Sequence, residues 1–114
     1  MIDKLIAVLE QNTPLVQDKD LFYLEIPLDK SGLWIEDTQN DNPRTGYTDW
    51  NIYYRGKTKS SAKANIKYLQ DTINNLDVCR VNGEIFRLDM VQGWDYLGKD
   101  SEGYFVFAAS LRLL

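Results

Sequence analysis

The chain has 114 residues, of which 44% are hydrophobic and 12% aromatic, and its formal net charge is −4. This length and composition are typical of one globular domain, so we expect residues 1–114 to form a single domain. The absence of histidine excludes Ser-His and Cys-His nucleophile pairs and histidine-based metal sites, and the lone Cys79 excludes a thiolate cluster. No apolar run is long enough for a membrane span, and the acids in MIDKLIAVLEQ are atypical of a secretory signal, which predicts a soluble chain that is not exported.

Charge is unevenly distributed along the chain. Five basic residues and no acid occur between Trp50 and Gln70, whereas the rest of the chain holds the other 8 of the 13 basic residues and all 17 acids, a net charge of −9. This segregation predicts a dipolar surface, although the overall negative charge argues against general affinity for nucleic acid. The five basic residues are Arg55, Lys57, Lys59, Lys63 and Lys67.

The first third of the chain predicts one helix followed by two strands. Apolar residues at helical spacing favour an amphipathic helix over residues 2–11, ended near Pro14. Residues 21–28 and 33–38 are rich in strand formers, and the Lys-Ser-Gly turn between them favours a hairpin. The polar residues 39–47, QNDNPRTGY, are typical of an exposed loop.

The middle of the chain predicts a strand and then a long helix. In the strand, residues 49–54, alternation places Trp50, Ile52 and Tyr54 on one face. The helix is expected over residues 61–76, with Ser60 or Ser61 as its N-cap. Its apolar stripe consists of Ala62, Ile66, Leu69, Ile73 and Leu76, and a basic flank repeats at Lys59, Lys63 and Lys67.

The last third predicts three strands. The dipeptide Asn82-Gly83 is a strong hairpin signal between residues 78–81 and 84–91. A polar loop over residues 98–103 precedes a final strand over 104–113. Helices and hairpins in this order indicate an α+β fold, a mostly antiparallel sheet with two helices packed on one face.

The stretch RGKTKSS contains the Gly-Lys-Thr end of a phosphate-binding loop. Such a loop also requires a glycine five residues before Gly56, where this chain has Asn51, and the intervening residues favour an extended strand. We therefore reject an ATP or GTP site, while the start of the helix and its lysines remain suited to an anion. A solvated helix face is the commoner explanation for the same lysines, although such faces usually mix positive and negative charges.

Other candidate residues favour structural roles. The acid pairs Glu36-Asp37 and Asp100 with Glu102 are more typical of solvated strand and turn acids than of acid-base catalysts. Cys79 lies in an apolar strand, where cysteine usually behaves as a small buried hydrophobe. The three tryptophans, Trp34, Trp50 and Trp94, fit either core positions or interface anchors.

The order of parts resembles a family of phage proteins. A leading MIDKLIAVLE helix, an LFYLEIP strand, a GLWIEDTQ strand, a DWNIYYRGKTKSSA junction before the IKYLQDTINNL helix, and a closing FVFAASLRLL strand cover nearly the whole chain. In length, element order and texture they resemble the minor capsid or tail terminator (tail completion) proteins of long-tailed bacteriophages.

The resemblance implies a non-enzymatic structural protein of the virion, assembled in the host cytoplasm. It implies a homo-oligomer, a hexameric ring that caps the tail tube, contacts the tail tube protein and a head connector or head-completion protein, and lets DNA pass without specific binding. It implies that the protein binds no cofactor and no metal ion and does not associate with a membrane. A closed ring needs two different patches on each subunit, so the basic residues would meet an acidic region. That region contains Glu36, Asp37, Asp41 and Asp49, with Asp29 at its start.

A second hypothesis does not depend on the resemblance to phage proteins. A small nucleic-acid or anion-binding module would use the same basic helix to contact phosphate, with Tyr53 or Trp50 stacking on bases. The acidic balance of the remaining chain disfavours it. A phosphate-handling enzyme ranks third.

Overall fold

The structure, a computed structural model, describes residues 2–41, 48–76, 78–81 and 83–113. The helices of these ranges are α1 (Ile2–Asn12) and α2 (Lys59–Asn74). The strands are β1 (Leu21–Tyr23), β2 (Gly32–Asp41), β3 (Thr48–Gly56), β4 (Cys79–Val81), β5 (Glu84–Phe86), β6 (Leu88–Lys99) and β7 (Phe105–Leu113). Neither helix is long and apolar enough to cross a membrane, within the part of the chain just given.

Five strands form one sheet in the order β1-β2-β3-β7-β6, and β4 and β5 form a separate two-stranded hairpin. All neighbours in the large sheet are antiparallel except β1 and β2, which are parallel. The predicted α+β class, with a mostly antiparallel sheet and two helices on one face, is confirmed. The hairpin turn predicted at Gly83 is also found, with Val81 opposite Glu84.

Strand alternation separates a covered face from an open face. Trp50, Ile52 and Tyr54 lie on one face, as predicted, and this face points toward the helices and is buried. They belong to the same apolar cluster as Leu5 of α1 and Ile66 of α2. The alternate residues point away from both helices, and we call this second surface of the five-stranded sheet the open face. The open face carries Trp34, Asn51, Tyr53, Val106, Ala108 and Leu97.

The structure at the start of α2 accounts for the Gly-Lys-Thr sequence through packing and helix capping, without a bound phosphate. Thr58, rather than the predicted Ser60 or Ser61, is the N-cap, and its Oγ1 accepts a hydrogen bond from the Ser61 N–H at 3.2 Å. Gly56 lies where β3 passes under the helix, and a Cβ placed there would be 2.7 Å from the Ala62 Cβ. The glycine therefore permits close packing of strand and helix, and the threonine starts the helix.

The predicted hairpin between the first two strands is wrong. Leu24 has a left-handed backbone conformation, φ 74°, which ends β1 after Tyr23 and turns the chain away. The chain then returns in the same direction as β1, and the Leu33 N–H donates to the Asp20 carbonyl at 2.8 Å. Gly32 starts β2 with φ 145°, and a Cβ there would lie 2.6 Å from that carbonyl oxygen.

Two predicted loops are shorter than expected. Residues 39–41 of the predicted loop 39–47 belong to β2, where Gln39 pairs with Trp50, and the remainder of that loop lies outside the described residues. The predicted loop 98–103 begins later than expected, because β6 extends to Lys99 with register shifts relative to β7. The predicted strand 84–91 is divided at Arg87 between β5 and β6.

Replacing Gly56 with alanine tests the close packing of β3 and α2. We expect Gly56→Ala to lower the free energy of unfolding by about 1–3 kcal/mol, because the added methyl overlaps Ala62. Urea unfolding followed by circular dichroism measures the change. Gly93→Ala is the matched control, since a Cβ at Gly93 has no atom within 4 Å. Equal stability of the two variants would contradict this explanation of Gly56.

Candidate interaction surfaces

The predicted basic flank of α2 is present on the surface. Lys57, Lys59, Lys63 and Lys67 are all exposed, and we call these four residues the basic ridge. Within the described residues, no carboxylate lies within 4 Å of any of their ammonium groups. The Lys59 Nζ lies 4.4 Å from the centre of the Tyr96 ring, a cation–π contact. The ridge is therefore a group of like charges whose counter-charges are not on neighbouring described side chains.

Arg55 does not belong to this ridge, although the sequence analysis grouped it there. Its residue surface is only 2% exposed, and it is the buried charged residue of the described chain. The alternation of β3 explains the difference, because Arg55 follows Tyr53 by two residues and so points to the open face. The alternation already applied to residues 49–54, extended by one residue, would have identified this.

The Arg55 guanidinium connects two segments that are distant in sequence. Its Nη1 donates to the Pro27 carbonyl at 3.0 Å, and its Nη2 donates to the Leu28 carbonyl at 3.0 Å. On the other side its Nε lies 2.7 Å from Asp100 Oδ2, and its Nη2 lies 3.6 Å from Glu102 Oε2. Arg55 thus holds the segment before β2 against the turn between β6 and β7.

The burial of this charge is compensated by hydrogen bonds and by opposite charge. A desolvated guanidinium is unfavourable unless it is paired, and here Nη1 and Nη2 donate to carbonyl oxygens while two carboxylates neutralise the charge. Nε lies 2.7 Å from Asp100 Oδ2 in an ion pair but is not aligned for a hydrogen bond. The Tyr104 ring covers the guanidinium face, 3.9 Å from its centre to Arg55 Cζ. Asp100 is fixed in turn, because its Oδ1 accepts hydrogen bonds from the Glu102 and Tyr104 N–H groups.

The predicted acidic region is partly engaged within the subunit. Glu36 lies at a bulge where residues 36–38 of β2 face Asn51 of β3. Its Oε2 accepts hydrogen bonds from the Tyr53 hydroxyl at 3.0 Å and from Asn51 Nδ2 at 3.3 Å. Desolvation of the phenol, with the hydrogen bond to the Glu36 carboxylate and its charge, raises the pKa of Tyr53.

The other predicted acids differ in what the structure describes. Asp49 binds Arg112 with two hydrogen bonds, Nε to Oδ1 at 2.8 Å and Nη2 to Oδ2 at 3.2 Å, so its charge is matched inside the subunit. The backbones of Asp37 and Asp41 lie in β2, and their side chains are outside the described part of the structure. Of the four predicted acids, the two whose side chains are described, Glu36 and Asp49, are therefore engaged within the subunit.

The open face contains a groove that the sequence did not reveal. An apolar cavity of about 370 Å³ lies between the segment held by Arg55 and the end of β6. Leu28 and Leu97 at its edges are 69% and 59% exposed. Its lining consists of Ile26, Leu28, Trp34, Tyr53, Arg55, Leu97, Asp100, Glu102 and Val106. We call this the open-face groove.

The tryptophans and the cysteine have different environments. Trp50 is buried in the core, whereas Trp34 is half-buried on the open face and stacks on Tyr53 with ring centres 5.1 Å apart. Trp94 packs against the core from β6. Cys79 is buried, as predicted, and desolvation raises the pKa of its thiol. Among the described residues no group of three or more acids and cysteines is placed to hold a metal ion.

Comparisons with known proteins do not assign the chain to a family. No model of a protein family matches the sequence, and no curated protein or solved structure shows significant similarity to the chain.

Arg55 can be tested by removing its charge while retaining an apolar side chain. We expect Arg55→Met to lower the free energy of unfolding by about 3 kcal/mol, because Asp100 and the Pro27 and Leu28 carbonyls lose their partner. Urea unfolding measures the loss. Arg87→Met is the control, since the Arg87–Asp89 pair is exposed and is worth at most about 1 kcal/mol. Equal losses in the two variants would refute the connecting role of Arg55.

The contact between Glu36 and Tyr53 predicts a specific alkaline titration. Glu36→Gln should lower the pKa of Tyr53 toward its ordinary value of 10.0, because the negative charge is removed. A raised folded pKa adds stability below the unfolded pKa and loses it as pH rises through the folded pKa, so the stabilisation should disappear above about pH 10. Phenolate absorbance measures the transition, and Tyr53→Phe identifies it. An unchanged transition in Glu36→Gln would contradict the assignment.

Proposed function

We propose that this chain is a non-enzymatic structural subunit of the tail terminator kind. In this role it caps a phage tail tube and contributes to the head–tail junction as a ring of identical subunits, a hexamer in the arrangement that the family resemblance implies. The order of helices and strands supports the proposal. The observation that carries it is the basic ridge of Lys57, Lys59, Lys63 and Lys67, exposed and without neighbouring described carboxylates.

The charges of the basic ridge are less unfavourable in an assembly than in an isolated subunit. Three of the four like charges, Lys59, Lys63 and Lys67, repeat along one side of α2 and repel one another. Helices that are merely solvated gain stability from opposite charges three or four residues apart. A partner surface with negative charge removes this repulsion. Pairing of this kind guides encounter and orientation more than it adds affinity, which suits subunits that must join in one register.

The net charge of −4 also fits passage of DNA through a ring. A surface that is negative overall repels phosphate at distances within the Debye length, so DNA would not adhere to it. In this arrangement the basic ridge would be covered at subunit contacts, which leaves the negative charge on the remaining surface.

Nucleic-acid or anion binding by the ridge is the alternative. The structure separates the ridge from the aromatic residues expected to stack on bases, because Trp50 is buried and Tyr53 points to the open face. Two other exposed tyrosines lie beside the ridge, Tyr96 under Lys59 with 44% exposure and Tyr68 next to Lys67 with 57% exposure. Binding of a labelled oligonucleotide at physiological salt by the monomer, abolished by reversal of the lysines, would favour this alternative.

Oligomeric state is the direct test of the proposal. Light scattering over a range of protein concentrations should give a mass near that of six chains, and negative-stain images should contain rings. Mixing with purified tail tubes of a matching phage should place the protein at tube ends. A chain that remains monomeric at high concentration and leaves tube ends bare would refute the proposed function.

Charge reversal tests the ridge itself. We expect Lys63→Glu combined with Lys67→Glu to weaken assembly roughly tenfold at low salt, with a smaller effect at high salt, because two intersubunit ion pairs become repulsions. Analytical ultracentrifugation at two salt concentrations measures the change. Lys19→Glu combined with Arg80→Glu is the control, since both residues are exposed, lie outside α2 and give the same change in net charge. Equal assembly of the two double variants would remove the ridge from the proposal.

A further inference from the structure

We infer that the open-face groove receives the basic ridge of a second copy of this chain. In this arrangement α2 of one copy lies against the open face of the next, and the copies join head to tail. The inference rests on the proposed function and adds which two surfaces meet.

The apolar residues of the groove favour a protein partner. Leu28 and Leu97 are 69% and 59% exposed on either side of the groove, and Trp34 and Val106 between them are half-buried. The two exposed leucines border one groove, and the stacked Trp34–Tyr53 pair also lines it. An ordinary protein surface has scattered apolar residues rather than a cluster of this kind. Covering them removes apolar area from water and supplies affinity.

Acidic residues define the charge of the partner. A second cavity of about 270 Å³ adjoins the groove at Tyr53 and Leu97, and Asp95 lines it. The described residues that line the two cavities include three acids, Asp95, Asp100 and Glu102, and one base, the buried Arg55. Glu36, bound to Tyr53, adds a further negative charge at this surface. The groove therefore combines an apolar lining with a net negative charge.

The outward side of α2 is complementary to this pattern. Tyr68 is 57% exposed and lies next to Lys67, with Lys63 just over one turn earlier. Tyrosine is enriched at the centres of protein interfaces because its ring is large, rigid and amphipathic. An exposed tyrosine with a lysine beside it matches an apolar groove lined by carboxylates in both charge and hydrophobicity.

The positions of the two surfaces determine the symmetry of the contact. The groove lies on the open face, and α2 packs on the covered face through Ala62, Ile66, Leu69 and Ile73. Because the surfaces lie on opposite sides of the sheet, each copy offers both at once. Such a contact is heterologous, so repetition produces a closed ring or an open filament rather than a symmetric dimer.

A negative charge in the groove tests the acceptor surface. Leu97→Glu should weaken association roughly thirtyfold or more, because it places a charge on an apolar side chain that the contact would bury. Ile85→Glu is the matched control, since Ile85 is also 59% exposed but lies on β5, outside the groove. Analytical ultracentrifugation measures association, and circular dichroism checks that both variants fold. Similar association of the two variants would overturn the inference.

Cysteine cross-linking tests which surfaces meet. A chain carrying both Tyr68→Cys and Leu97→Cys should form, on mild oxidation, a ladder of covalent oligomers that ends at the ring size. Each single variant should remain without cross-links, because its new cysteine faces no cysteine in the neighbouring copy, and the native Cys79 is buried and should not react. Rings without a ladder would overturn the inference and leave the proposed function standing. Failure of the unaltered chain to form any oligomer would instead refute the proposed function, and the inference with it.

Discussion

The Arg55 guanidinium is the interaction on which the open face depends. It binds the Pro27 and Leu28 carbonyls on one side and the Asp100 and Glu102 carboxylates on the other. Neither segment belongs to a helix or strand, so the sheet ladders alone do not determine where they lie. The arginine therefore sets the separation of the two groove walls, and it does so from a rigid position near the end of a central strand.

The cost of burying this charge also explains why the two segments adopt one arrangement. A buried guanidinium is tolerated only where nearly all of its donors are matched, and a displaced segment would leave a charge or a carbonyl without a partner. Two segments without regular structure are thereby restricted to one arrangement. The same interaction leaves the groove negative, because two carboxylates converge on one arginine. Structural and electrostatic properties of this surface thus have a common origin.

Local patterns predicted most of the fold. The apolar stripe of α2 from Ala62 to Ile73, the alternation of β3 and the turn at Gly83 each depend on residues close in sequence, and each was correct. Leu76, predicted as the last residue of that stripe, lies beyond the end of α2 at Asn74. The parallel pairing of β1 with β2 depends on the left-handed Leu24, a conformation that a leucine does not signal. The open-face groove and the partners of Arg55 combine residues from distant segments. The periodicity of the sequence does not indicate which of these distant residues lie close together in space. Gly56 was visible in the sequence, but its purpose depends on the approach of Ala62.

Acids that form hydrogen bonds inside the subunit contribute less to contacts between subunits. Asp49 is bound to Arg112 and Glu36 to Tyr53 and Asn51, so these acids cannot turn toward a partner without losing internal hydrogen bonds. Lysines that approach them gain a long-range attraction rather than a direct, fully desolvated ion pair. Such attraction orients an encounter, whereas tight association requires apolar burial. Exposed leucines beside the acids supply that burial, which is why the open face is a better acceptor than a chain segment selected for its acids alone.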